Sequence, residues 1–162
     1  MGFTGSTDIG RLLRRSTAGT GKKISLELGG KSPIVVFDDA DLDSTVEGII
    51  NAIWFNQGQV CSAGSRLLVQ ETVHELVVAK LRERMTHLRV GDSLDKCIDM
   101  GALVDEKHRQ SIEDYVQKAR DEGNTVYQAA ACIPESGCFY PPTLITDVDT
   151  SSTVVQVRAL SR

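Results

Sequence analysis

The sequence has no apolar run approaching the ~20 residues that a bilayer-spanning helix needs. It has no excess of positive charge either. Lys and Arg number 18 against 22 Asp and Glu, a formal net charge of −4, which argues against a nucleic acid or an anionic membrane as partner. Its start, Met1-Gly2-Phe3-Thr4-Gly5, carries neither the basic nor the apolar region of a signal peptide. Internal repeats, low-complexity tracts and flexible linkers are absent. The four cysteines, Cys61, Cys97, Cys132 and Cys138, form no CxxC pair and no Cys/His cluster with zinc spacing, so no metal site is expected. Reduced thiols in a cytoplasmic compartment are the expectation, with a Cys132–Cys138 bridge left open.

What remains is the balance of a soluble globular protein: 162 residues, 41% hydrophobic and 25% charged, enough to bury a core. The opening reads as a strand end, Phe3-Thr4, then a glycine turn and a helix capped by Ser6 or Thr7, with Ile9, Leu12 and Leu13 at helical spacing. Gly19 and Gly21 end that helix. Lys23 to Leu28 alternates as a strand, placing Ile24, Leu26 and Leu28 on one face and Glu27 on the other. Ile34 to Phe37 is a continuous apolar run, suited to burial on both faces. Asp41 caps a helix whose stripe is Leu42, Val46, Ile49, Ile50, Ile53 and Trp54. Arg66 to Gln70 is a strand, and a helix starting at Glu71 or Thr72 carries Val73, Leu76, Val77, Leu81, Met85 and Leu88. Asp105 caps a helix with Ile112, Tyr115, Val116 and Ala119, which Gly123-Asn124 ends. Short strands are expected at Thr125–Tyr127, Phe139-Tyr140, Thr143–Ile145 and Val154–Val157. The alternation predicts an α/β fold with a mainly parallel sheet and flanking helices.

Two stretches carry chemistry. Phe55-Asn56-Gln57-Gly58-Gln59-Val60-Cys61-Ser62-Ala63-Gly64-Ser65-Arg66 sets one cysteine in a polar, glycine-flanked turn between a helix and a strand. A thiol there can be exposed and activated, whereas a thiol in an apolar run is core. Glu27 stands at a strand end just before Gly29-Gly30, where α/β sheets place their ligands; alone it also reads as a solvent-facing edge residue. A thiolate and a carboxylate in one cleft are the parts for covalent catalysis on a carbonyl followed by base-assisted hydrolysis. The Gly5–Gly10 turn either holds a phosphate on helix N–H groups or packs a helix tightly. Lys22-Lys23 and Arg82–Arg84 read as solvated faces, and His74, His87 and His108 as helix residues without partners.

The stretches Phe3 to Gly10, Leu26-Glu27-Leu28-Gly29-Gly30-Lys31-Ser32-Pro33 and Phe55 to Arg66 together resemble the aldehyde dehydrogenase superfamily. The order of the motifs matches, as does the 34-residue interval from Glu27 to Cys61, and the resemblance runs on through Val104-Asp105 to Pro142-Thr143. Val60 beside the cysteine and the divergent C-terminal stretch look like family 16 of the superfamily. The resemblance implies NAD(P)-dependent oxidation of an aldehyde to a carboxylic acid. Cys61 matches the nucleophile that forms a thiohemiacetal and, after hydride passes to the nicotinamide, a thioester. Glu27 matches the base that activates water, and the Cys61 backbone N–H one oxyanion donor. Gly5 and Ser6 match the turn by the cofactor phosphates, and Leu28 and Gly29 the nicotinamide side, with NAD or NADP left open.

By the same resemblance, residues 1–28 correspond to the end of the NAD(P)-binding domain and residues 29–157 to part of the catalytic domain, with 158–162 a divergent tail. The oxyanion Asn, the adenosine-binding strands and a Glu-Glu-x-Phe-Gly-Pro segment have no counterpart in the sequence. It is therefore expected to be a fragment or a splice-like truncation, inactive alone. Relatives are usually homo-oligomers. Two alternatives stand beside an oxidoreductase: a non-catalytic scaffold that keeps the fold, and residual thiol esterase activity that needs Cys61 but no cofactor.

Overall fold

The first strand, β1 (Gly2–Gly5), runs into α1 (Thr7–Ser16) through Ser6, which caps the helix by accepting from the Ile9 N–H at 3.3 Å. Asp8 in the first turn and Arg14 and Arg15 in the last suit the helix dipole. Gly19 and Gly21 at φ +74° and +69° turn the chain back, and β2 (Ser25–Leu28) pairs parallel with β1 in register Thr4↔Glu27 and Gly5↔Leu28. Helix and strand approach closely at Gly10, where a Cβ would stand 2.7 Å from Leu28 Cδ2. Beyond that seam α1 is open, with Ile9 45% and Leu12 58% exposed. The computed structural model describes residues 1–129 and 132–156.

A second unit holds the main core. β3 (Pro33–Val36) leads to α2 (Leu42–Trp54), capped by Asp41 accepting from Ser44 N–H at 2.8 Å. A 3-10 turn, Phe55–Gly58, and the cysteine loop follow, before β4 (Arg66–Val69) pairs parallel with β3 in register Val35↔Leu68. After a 3-10 turn at Glu71–Val73, α3 (His74–Met85) packs on α2. Val36, Val46, Ile49, Ile50, Trp54, Val77, Leu81, Met85 and Leu88 form the centre, and each large aliphatic there is worth roughly 1.5–3 kcal/mol in burial. Lys80–Asp43 (2.5 Å) and Arg84–Glu47 (2.6 Å) bridge the helices at the rim.

Three expectations fail in this unit. β3 is buried on one face only: Val35 and, facing it on β4, Leu68 stand 54% and 50% exposed, because helices cover a single side of this pair. Leu76 points away from the core for the same reason, being on the outer face of α3. Arg82 is no solvated charge either; its guanidinium lies 5.3 Å from the centre of the Tyr127 ring.

The last unit starts with α4 (Glu106–Asp121), capped by Asp105 accepting from His108 N–H at 2.7 Å. Gly123 at φ +82° ends it, and β5 (Thr125–Gln128) pairs antiparallel with β6 (Thr143–Thr146). Leu103, Ile112 and Val116 make a second core with Val126, Cys138 and Tyr140 around it. Phe139-Tyr140 forms no strand. Val154 sits in a short helix, α5 (Thr153–Gln156), instead of a strand. The Glu122 carboxylate explains that turn, since it accepts from Ser152 Oγ (2.7 Å), Thr153 N–H (2.9 Å) and Thr153 Oγ1 at the helix start. Val157 and the divergent tail lie outside the described residues. Among the described residues, two of the three strand pairs are parallel, so the fold is α/β, mainly parallel, with flanking helices.

Candidate active site

The cysteine loop is built by unusual backbone. Asn56 (φ 48°), Gln57 (φ 57°) and Gly58 (φ 74°) are three successive left-handed residues, a conformation that costs non-glycine residues about 1–2 kcal/mol each. Side chains compensate. Gln59 Oε1 accepts from Val104 N–H at 3.0 Å, and Asn56 Nδ2 donates to Gln59 O at 3.3 Å. The Gln57 amide meets both its neighbours when its oxygen faces the Gly101 N–H (2.8 Å) and its nitrogen the Ala102 carbonyl (3.2 Å). The loop is thus stitched to the segment before α4. Gly64 then donates to Ala52 O at 3.1 Å, in a gap so tight that a Cβ would lie 2.3 Å from Ile34 Cδ1.

Between these ties Cys61 is exposed, in a turn closed by Ala63 N–H donating to Val60 O at 3.1 Å. Glu27 is exposed as well, and both residues line one cleft of about 550 Å³. Thr4, Gly5, Leu28, Gly29 and Gly30 complete the Glu27 side, and a Cβ on Gly30 would stand 3.4 Å from the Cys61 carbonyl oxygen. Ser6 is not among the lining residues; its hydroxyl caps α1. Of the six residues singled out from the sequence, five therefore share the cleft.

The structure adds residues that spacing alone did not single out. His108, 7% exposed, lines the cleft from the first turn of α4. Ser65 lines it too, and its hydroxyl is buried without a hydrogen-bond partner among the described residues. Gln57 and Gln59 hold the thiol loop; two glutamines flanking a glycine next to a cysteine were their only signal. His74 lies 3.1 Å from Glu75 and His87 3.5 Å from Glu83, so neither is without a partner. All four cysteines are free thiols. Among the described residues no group of three or more His, Cys, Asp or Glu is placed to hold a metal ion, and no helix is long and apolar enough to cross a membrane.

An α/β scaffold with an exposed thiol and an exposed carboxylate lining one cleft has the parts for covalent chemistry at a carbonyl. The sequence matches the aldehyde dehydrogenase family over residues 1–158, and the chain belongs to that family. It is 40% identical over 154 residues to the succinate-semialdehyde dehydrogenase (NADP+) of Escherichia coli, covering 95% of this chain and 32% of that relative. It is 38% identical over 161 residues to the betaine aldehyde dehydrogenase of Bacillus subtilis, covering 96% of this chain and 33% of the other. The solved structure of betaine aldehyde dehydrogenase from Staphylococcus aureus in complex with NAD+ superposes with a TM-score of 0.92 at 36% identity, over 99% of this chain and 32% of that one. The chain thus spans about a third of the length of the relatives it matches.

Proposed function

We propose that this chain contributes the chemical pair of an NAD(P)-dependent aldehyde dehydrogenase, with Cys61 as nucleophile and Glu27 as general base. The observation that carries the reading is the shared cleft, lined by both an exposed thiol and an exposed carboxylate. The NAD+ complex of the similar Staphylococcus aureus enzyme supports a nicotinamide cofactor, as does the NADP+ named for the Escherichia coli relative. Gly5, Leu28 and Gly29 fit one end of it, since they line the cleft with small or apolar groups. Ser6 fits less well.

When bound, the cofactor supplies the hydride acceptor. The chain's own residues do the rest. The Cys61 thiolate attacks the aldehyde carbon, forming a C–S bond and placing charge on the carbonyl oxygen, toward which the Cys61 backbone N–H donates. Once oxidation leaves a thioester on Cys61, Glu27 takes a proton from water as its oxygen attacks the carbonyl carbon. The C–S bond then breaks, releasing the carboxylic acid and returning the thiolate.

Residues 1–28 are read as the end of the cofactor-binding unit and residues 29–157 as part of the catalytic unit, the assignment to family 16 resting on Val60 and the C-terminal stretch. A reducing, cytoplasmic setting agrees with the four free thiols. The 162 residues alone should not turn over aldehyde, because the cleft offers few residues to hold a dinucleotide. An NADH-absorbance assay with an aldehyde tests the last point, and turnover by these residues alone would refute it. Iodoacetamide labelling tests the first: Cys61 should react faster than the exposed Cys97, and equal rates would favour the scaffold reading.

A further inference from the structure

The turn Gly29–Ser32 carries the chain from Glu27 into β3, and it is gripped from two sides. On the cysteine side, Arg66 at the head of β4 donates its Nη2 to Lys31 O (3.2 Å) and its backbone N–H to Ser32 O (3.2 Å). Gly30 packs there against the Cys61 carbonyl. On the far side, Lys31 Nζ donates to Tyr115 OH (3.1 Å), to Val154 O and to Val155 O (3.4 Å), while Tyr115 OH donates to Val154 O at 2.6 Å. Burial pushes the Tyr115 phenol up to about 12, so it remains a donor throughout the physiological range. The platform that Lys31 grips is itself fixed. Glu122 holds the start of α5, and Asn124 Nδ2 donates to Ser152 Oγ at 3.1 Å. A half-buried ammonium with this many acceptors has given up its solvation and rotamer freedom for one geometry.

The two catalytic walls differ in what secures them. The Cys61 loop has its own ties through Gln57, Gln59 and Gly64. Glu27 is exposed on a two-stranded sheet, and its outgoing connection is the turn that carries Lys31. We propose that Lys31, together with Tyr115, is a positioning residue for Glu27: its tie to α5 fixes the Gly29–Ser32 turn and so the reach of the carboxylate toward a thioester on Cys61. The inference rests on the roles given above to Cys61 and Glu27.

The test separates acylation from hydrolysis without a cofactor. With p-nitrophenyl acetate, the Cys61 thiolate attacks the ester carbonyl and expels p-nitrophenolate in a burst. Water, deprotonated by Glu27, then releases acetate and returns the thiolate in the steady state. In the full chain, Lys31→Met should lower the steady-state rate about tenfold, approaching Glu27→Gln, and leave the burst and the iodoacetamide rate at Cys61 within about twofold. Tyr115→Phe should fall between, and Lys31→Arg should recover most of the lost rate. An unchanged steady state in Lys31→Met would overturn the proposal. So would a burst, a labelling rate and a steady state that all fall together without recovery in Lys31→Arg, since that pattern marks general disruption. A wild-type chain with no burst, or one whose burst survives Cys61→Ala, would overturn the functional reading and this inference with it. A Glu27→Gln variant hydrolysing at the wild-type rate would remove Glu27 from its role and overturn this inference, while leaving Cys61 in its own.

Discussion

The corner formed by β1, α1 and β2 and the unit formed by β3, α2, β4 and α3 are built on opposite terms. In the second, Val77, Leu81 and Met85 are 0–1% exposed and two helices close over one face of a parallel strand pair. In the first, α1 meets its strands mainly through Gly10, while Ile9 and Leu12 face outward. Cys61 belongs to the unit that is packed and Glu27 to the one that is not. The comparison teaches that the two halves of the proposed chemistry are held by different means. Packing and loop ties secure the thiol, whereas hydrogen bonds between Lys31 and a distant platform hold the turn that follows the carboxylate.

Truncation should expose the contrast most strongly. Leu81→Ala should cost about 2–5 kcal/mol by chemical denaturation, while Leu12→Ala, at an exposed position, should stay within about 0.5 kcal/mol. Equal losses would mean that the corner is as cooperative as the core. The paired glycines come next. Gly64→Ala drives a Cβ to within 2.3 Å of Ile34 in a boxed-in site and should cost about 1–3 kcal/mol. Gly10→Ala meets only the far end of Leu28, in a corner that can give, and gains helix propensity, so thermal melts should show little net change.

Smaller effects lie at the rim. Glu47 accepts from Arg84 and raises its guanidinium pKa, yet both side chains are partly solvated. Arg84→Met should therefore cost no more than about 1 kcal/mol, a difference that shrinks in high salt. The smallest effect concerns pH. The Ser44 N–H lowers the Asp41 carboxyl below the usual aspartate range. Its stabilisation is complete above the unfolded value of about 3.9 and is lost as pH falls through the lower folded value. Asp41→Asn keeps a capping oxygen but cannot titrate, so its melting temperature should fall less than that of the wild type between pH 5 and pH 2.5.

Local signals made much of this legible in advance. The caps at Ser6, Asp41 and Asp105 and the stripe of α2 follow from short-range pattern, because capping and periodicity are encoded within a few residues. The parallel pairing follows instead from the alternation of strands with helices, and the interval from Glu27 to Cys61 from the family resemblance. What the pattern could not say was which apolar faces find a partner. Val35, Leu68 and Leu76 have core-like chemistry and sit exposed, since coverage depends on elements far away in the chain. The same limit hid the helix at Thr153–Gln156, which exists because Glu122, 30 residues earlier, reaches its first turn. His108 escaped because nothing near it in the chain says that α4 begins beside Cys61.

The stitching of the cysteine loop has a consequence for biosynthesis. Gln59 finds its partner at Val104, 45 residues downstream, and Gln57 finds its own at Gly101 and Ala102. A nascent chain emerging at ribosomal pace therefore carries Cys61 in a loop not yet set until the segment before α4 has left the exit tunnel. During that interval, as afterwards, Cys61 is exposed, so the redox state of its surroundings decides whether it stays reduced.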